Sequence, residues 1–420
     1  MHLSGAAEES RVPVHFVAVI DDSGSMGEDS KLERVVQSLD ALLTYMGDED
    51  MLSLVIFESS VKRPFTNCAT TSDNKELVRA YLRTLRPMGG TNIASAIASL
   101  HEVLRGVPGG YKTGVLFLTD GEATVGITDD ATLFVHVQTL LDTYAGTTVS
   151  AIGYGHDHRA DLLRGMSVRG GGSYTIVTSV EQVASAFGDL LGGLRSCVAQ
   201  EVRLLVPHSV TQMSAYSRRS DSQIFLGDLL AGGEHIVVLQ GVLDTDVLTV
   251  EASDIRTGAP FPPMPVALGI ANEEVGMRAY MRCAVVTLME QVNRDFQGRH
   301  LNIADAVAEI DRISRQMATL PRHPLLDILQ GQLERLRLFA TAPPPPLPGL
   351  GRMQSNMLSQ NTTSLGTARG VLSATDDDPT GISIFSSTTQ RAISSGMSVA
   401  VAANNEHVVS APPPLPIRRY

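Results

Sequence analysis

The chain has 420 residues, 43% hydrophobic and 19% charged, and its 45 acids against 33 bases give a formal net charge of −12. That length exceeds one ordinary domain, and the composition suits a soluble folded protein with a polar appendix. The acidity excludes a nucleic-acid surface, since no Lys/Arg cluster relieves it; residues 341–420, with five arginines and four acids, do not contribute to it.

The opening stretch MHLSGAAEESRVP (residues 1–12 form an extension) has neither a basic start nor an apolar core, so it does not read as a signal peptide. No apolar run approaches the roughly 20 residues that span a bilayer, so no membrane span is expected. Cys68, Cys197 and Cys283 are odd in number and widely spaced. They form neither a disulfide framework nor a zinc pattern and fit a reducing compartment, so an intracellular, cytoplasmic location is expected. Cys197 and Cys283 read as small apolar core residues. Asn361-Thr362-Thr363 spells a glycosylation acceptor, which has no role in such a compartment.

From residue 13 to 195 strand and helix patterns alternate. The first strand, in FVAVIDDSGSMG (16–27), is continuously apolar, as in a strand buried on both faces of a parallel sheet. Helix-period leucines and valines follow over 31–45, then the strand MLSLVIFE and a short edge strand VKRPF, where proline is tolerated. Helices are expected over 73–85, 92–104, 132–144 and 180–194, and strands over 115–118, TVSAIGYG and SYTIV. Such alternation gives a doubly wound, mostly parallel α/β sheet covered by helices on both faces. The GYGHDHRADLL turn places His156 and His158 two apart, yet Asp157 reads better as a helix cap than the pair does as a metal site. The run Gly170–Gly172 reads as a turn, lacking the strand-then-helix setting of a phosphate loop.

Over 196–270 short apolar runs without intervening helices (EVRLLVP, QIFLGDL, HIVVLQGVL, VLTVEA) suggest a small antiparallel β-sandwich. Residues 271–340 return to helix: Asn272 can cap EEVGMRAYMRCAVVTLMEQV, 303–317 is amphipathic, and Pro321 and Pro324 precede LLDILQGQLERLRLF. A three-helix unit packed on the sandwich is expected, with Met277, Met281 and Met289 as core filling. Residues 341–420 are Pro-, Ser- and Thr-rich, bury too little apolar surface to offset chain entropy, and are expected to be a disordered tail; 381–387 is its one strand-like segment.

The chemistry gathers at the ends of two strands. Asp21, Ser23 and Ser25 alternate after the first; in extended chain, alternate side chains point the same way. Asp120 ends the apolar strand GVLFLTDGE, and Thr91 follows the Gly-Gly turn of RPMGGTNI. Sites in open α/β sheets form outside the carboxyl ends of strands, and oxygen donors of this kind suit a hard divalent cation. An EF-hand reading fails, because the loop has Met26 and Leu32 where glycine and glutamate are needed. No phosphate-cradling GxxxxGK[ST] loop occurs.

DxSxS, the threonine of GGTN and TDG together resemble the metal-ion-dependent adhesion site of von Willebrand factor type A domains. The resemblance implies that Asp21, Ser23, Ser25, Thr91 and Asp120 hold Mg2+ (or Mn2+): the three hydroxyls bind the ion, the aspartates act directly or through water, and a sixth position awaits an acidic group of a protein partner. The segments AFGDLLGGLRSCVAQEVRLLVP and FLGDLLAGGEH resemble the intracellular and bacterial branch of that family, in which a β-module follows. Plant relatives with this architecture are RING ubiquitin ligases; this chain has no RING cysteines, so at most a substrate-recognition role carries over.

The expected function is therefore non-catalytic: an adaptor that captures a partner's acidic group through the ion. Loops 22–30, 89–92 and 121–130 supply selectivity. A metal-dependent hydrolase would need a general base beside the metal, for which Glu122 is the one candidate. Asp21 is expected at a solvent-facing strand end, where its loss opens no cavity. In the tail, Pro345–Pro348 and Pro413–Pro416 both spell PPLP, which favours polyproline II and resembles ligands of WW domains. The second copy, with Arg418, also resembles an SH3 ligand; the alternative is a stiff solvated spacer.

Overall fold

The computed structural model describes residues 2–4, 12–120, 123–154, 158–177, 179–212, 217–231, 234–242, 246–266, 273–297, 300–341 and 397. After a short strand β1 (His2–Ser4) come β2 (Val14–Asp21), α1 (Lys31–Tyr45), β3 (Met51–Phe57), β4 (Val61–Ala69), α2 (Ser72–Leu82), α3 (Ile93–Arg105), β5 (Lys112–Thr119), α4 (Asp130–Thr143), β6 (Thr148–Tyr154), α5 (Ala160–Arg169), β7 (Gly171–Val177) and α6 (Val180–Arg195). β2 to β7 form one six-stranded sheet in the order β4-β3-β2-β5-β6-β7. Only β4, at the edge, runs antiparallel; it carries Pro64 where no ladder partner is lost.

β2, β3, β5 and β6 are buried along their whole lengths. Helices cover both faces, so side chains of either parity meet apolar partners. Phe16, Ile20, Leu39, Leu42, Phe187 and Leu191 share the core on the α1/α6 side. Val17, Val19, Ile97, Leu100, Val137 and Leu163 share the one on the α3/α4/α5 side. The parallel register sets Asp21 opposite Phe57 and Ile20 opposite Leu118, so Thr119 arrives beside Asp21. Caps fix where helices begin: Asn92 accepts from the Ser95 amide at 3.1 Å and starts α3 one residue after Thr91.

A second unit is antiparallel. β8 (Cys197–Leu205), β9 (Thr211–Gln212), β10 (Ser217–Ser220), β11 (Gln223–Leu230), β12 (Glu234–Ile236), β13 (Leu239–Gln240), β14 (Thr249–Ser253) and β15 (Met264–Pro265) give a five-stranded sheet, β10-β11-β8-β14-β15, and two-stranded ribbons β13-β9 and β1-β12. The expected sandwich is thus one main sheet with two ribbons, packed around Val202, Leu204, Ile224, Leu226 and Val250. Residues 2–4 of the N-terminal extension are part of it: His2 pairs with Ile236 and Ser4 with Glu234.

Helices α7 (Glu273–Gln297), α8 (Ile303–Ala318) and α9 (Pro324–Thr341) share a core of Val285, Met289, Ile310, Ile313, Leu329 and Leu333. An ion pair from Glu290 on α7 to Arg164 on α5 ties this bundle to the first unit, where packing on the β-module was expected. Met281 and Met289 fill the core, whereas Met277 is exposed. Cys197 and Cys283 are buried and all three cysteines are free. Met397 is buried in the α1/α6-side core, although the sequence places it in the tail. The rest of that tail, with both PPLP segments and 381–387, lies outside the described residues, as do Asn272, His156 and Asp157. Among the described residues no helix is long and apolar enough to cross a membrane.

Candidate metal centre

At the carboxyl end of β2, Asp21 is fully buried rather than solvent-facing, which corrects the sequence expectation. Its Oδ1 accepts the Ser23 amide at 2.8 Å and its Oδ2 accepts the Thr119 hydroxyl at 2.5 Å. The alternation expected of an extended chain holds only as far as Ser23. From Gly24 the chain coils into tight helical turns that break at Glu28 and Asp29, and the coil brings Ser25 beside Asp120. Ser23 and Ser25 hydroxyls lie 3.2 Å apart, and Ser25 Oγ donates to Asp120 Oδ1 at 2.7 Å. Asp21, Ser23, Ser25 and Asp120 therefore form one connected set bridging two neighbouring strands.

Thr91 joins through its loop, not through a hydrogen bond of its hydroxyl to that set among the described residues. Met88 N donates to Asp22 O at 2.7 Å and Gly24 N to Gly89 O at 3.2 Å, which staples the two loops together. Thr91 N donates to Thr124 Oγ1 at 2.9 Å, and Thr91 O accepts the amides of Thr124 and Val125. Gly89 has φ +72° and would drive a Cβ into the Glu58 carboxylate. At Gly90 a Cβ would come within 2.9 Å of both Thr124 Oγ1 and Val125 Cγ2. Those two approaches explain the Gly-Gly before Thr91.

The electrostatics are those of a site short of positive charge. Burial pushes the Asp21 carboxyl up to about 6, against hydrogen bonds from Ser23 and Thr119, and Asp120 adds repulsion. Burial likewise raises Asp22 to about 6; Lys62 opposes the rise, while Glu58 and Asp21 reinforce it. Asp22 Oδ1 is buried with no hydrogen-bond partner among the described residues. Besides Lys62, a second cation reaches the site: Lys31 Nζ donates to Asp120 Oδ2 at 2.6 Å.

The donors are all oxygens, two carboxylates and three hydroxyls, which fits a small hard divalent ion. Among the described residues no three His, Cys, Asp or Glu side chains gather as a metal site, so the hydroxyls are needed to complete any set. Sequence reasoning missed Lys31, Thr119 and Thr124. Lys31 and Thr119 were visible only as a helix start and a strand residue, and Thr124 lies in a loop without a motif. Glu122, the candidate base, falls outside the described residues. His158 is buried and its Nε2 bonds the Tyr174 hydroxyl, a structural role.

Residues 16–122 match the family model of the von Willebrand factor type A domain. Inter-alpha-trypsin inhibitor heavy chain H4 of Sus scrofa is 27% identical over 213 residues, covering 48% of this chain and 23% of that protein. The uncharacterized protein YfbK of Escherichia coli is 24% identical over 242 residues, 54% of this chain and 41% of its own length. The chain thus spans less than half the length of each of these relatives. A solved von Willebrand factor type A structure from Catenulispora acidiphila superposes with TM-score 0.61 at 13% identity, over 86% of this chain and 94% of that one, which shows a shared fold. The first unit of this chain, with its mostly parallel sheet and its strand-end loops, has the von Willebrand factor type A fold, and residues 16–122 of it match that domain's family model.

Proposed function

We propose that this chain is a non-catalytic binding protein whose first domain holds a divalent cation, Mg2+ or Mn2+, on Asp21, Ser23, Ser25, Thr91 and Asp120. The observation that carries the reading is the hydrogen-bonded set from Asp21 through Ser23 and Ser25 to Asp120, which joins two strand ends through the Ser23 amide and the two serine hydroxyls. Buried carboxylates in repulsion gain from a cation between them. The ion supplies charge and leaves a coordination position for a partner's carboxylate. The loops held by Gly89 and Gly90 surround that position. The PPLP segments of the tail serve as separate ligands for WW or SH3 domains, a role a peptide of residues 412–420 tests by direct binding.

Affinity capture on the full chain, run with Mg2+ and with EDTA and repeated with Asp120→Asn, tests the first part. Partners recovered only by the unaltered chain with Mg2+ support it. Identical recovery under all conditions contradicts it. Multiple turnover of phosphate or nucleotide by the pure protein would overturn the non-catalytic reading.

A further inference from the structure

We propose that Lys31 is a resident cation of the metal centre, competing with the divalent ion for Asp120 and thereby setting its affinity. The inference rests on the metal reading above and adds a residue that the five-position motif does not contain.

Lys31 is the first residue of α1, with its side chain 14% exposed beside an Asp120 side chain that is fully buried. Its ammonium donates to Asp120 Oδ2 at 2.6 Å and reaches the Ser25 carbonyl at 3.4 Å. Asp120 divides its two oxygens: Oδ1 receives the Ser25 hydroxyl and Oδ2 receives the ammonium. A lysine in the first turn of a helix faces the positive end of the helix dipole, an unfavourable place unless something nearby holds it. The backbone before it is unusual as well. Asp29 (φ 50°) and Ser30 (φ 55°) are consecutive left-handed residues, neither of them glycine, and they turn the chain so that α1 starts over the site. Dipole and strain both oppose this placement; the close contact with Asp120, with a longer one to the exposed Glu28 at 3.8 Å, offsets them.

Asp21 and Asp120 carry two negative charges, and Lys31 returns one of them. A divalent ion reaching Asp120 must displace the ammonium from Oδ2 or accept a like charge a few ångströms away. Either route weakens the ion, because charges of one sign at that range in a partly buried site repel strongly.

The test is a titration of the full chain with Mn2+ alone, following free Mn2+ by electron paramagnetic resonance. It compares the unaltered protein with Lys31→Gln and Lys31→Met, and each is also melted in EDTA. Both variants should bind Mn2+ at least about tenfold more tightly and melt at lower temperature in EDTA, since Asp120 loses its partner. Two variants are used because Gln keeps a hydrogen-bond donor and Met does not; tightening in both assigns the effect to charge. If folded variants bind Mn2+ with unchanged or weaker affinity, Lys31 merely positions Asp120 and the proposal is overturned while the metal reading stands. If neither the unaltered chain nor the variants bind, the metal reading falls and takes the proposal with it.

Discussion

Lys112 Nζ lies 2.8 Å from Asp228 Oδ2, and both side chains are buried at the junction of the first domain with the antiparallel unit. Lys112 also donates to the Gly146 carbonyl at 2.6 Å, and Thr148 Oγ1 donates to the same aspartate oxygen at 2.9 Å. Lys112 opens β5, the strand whose other end delivers Asp120. The candidate metal centre and the β-module thus sit at opposite ends of one eight-residue strand, about 25 Å apart. Removing one member of a buried pair strands the other charge, so Lys112→Met should cost about 3–5 kcal/mol. Lys112→Met combined with Asp228→Leu should cost clearly less than the two single changes added. Urea unfolding of the four proteins checks this, and strict additivity would mean the pair does not act as a unit.

Asp50 closes the same end of the sheet. Its carboxylate accepts the amides of Val14 (3.0 Å) and Gly47 (2.8 Å) and pairs with Arg195 at 2.7 Å. Burial alone would raise its carboxyl, but these amides and the guanidinium outweigh burial and hold it below the ordinary value. A folded-state value below the unfolded one contributes stability above pH ~4 and loses it as pH falls further. Asp50→Asn should therefore cost about 3 kcal/mol at pH 7, with the gap to the unaltered protein shrinking below pH ~4. Denaturation curves at several pH values would show a constant gap if the charge does not matter.

Gly89→Ala should destabilise by about 1–3 kcal/mol, since a non-glycine side chain at positive φ is strained and meets Glu58. Glu58→Ala removes the steric part, so part of the loss should return in the double variant. Thermal melting of the unaltered chain, both single variants and the double variant checks this; no return would place the whole cost in the backbone.

Thr91→Ala leaves the loop's amide and carbonyl bonds to Thr124 and Val125 intact. It should weaken capture of an acidic partner more than it weakens the ion. Dissociation constants for both, measured once a partner is in hand, decide the matter. Equal losses would make Thr91 one ordinary ligand among five.

Much of this was legible in the sequence because it rests on local rules. The all-apolar strand 16–20 and the leucine spacing of 31–45 gave β2 and α1, and Asn92 marked the start of α3. The burial of Asp21 was not legible, because it depends on Thr119 arriving from a strand nearly a hundred residues away. Lys31 escaped for a similar reason: one lysine opening a helix reads as a solvated end until Asp120 stands beside it. The pairing of His2–Ser4 with β12 is equally non-local, and its three residues carry no pattern long enough to show a period.

The most direct measurement is Mn2+ binding by the full chain and by Asp21→Asn at pH 7.5, with melting in EDTA alongside. Asparagine keeps an acceptor for Ser23 and a polar group toward Thr119 while removing the charge. Because burial raises the Asp21 carboxyl to about 6, its charge opposes folding above that pH. The variant should then melt at or above the unaltered protein while losing at least about a hundredfold in Mn2+ affinity, a loss of the size expected when a charged ligand is removed. A variant that folds and binds Mn2+ as tightly as the unaltered chain would contradict the assignment of this centre.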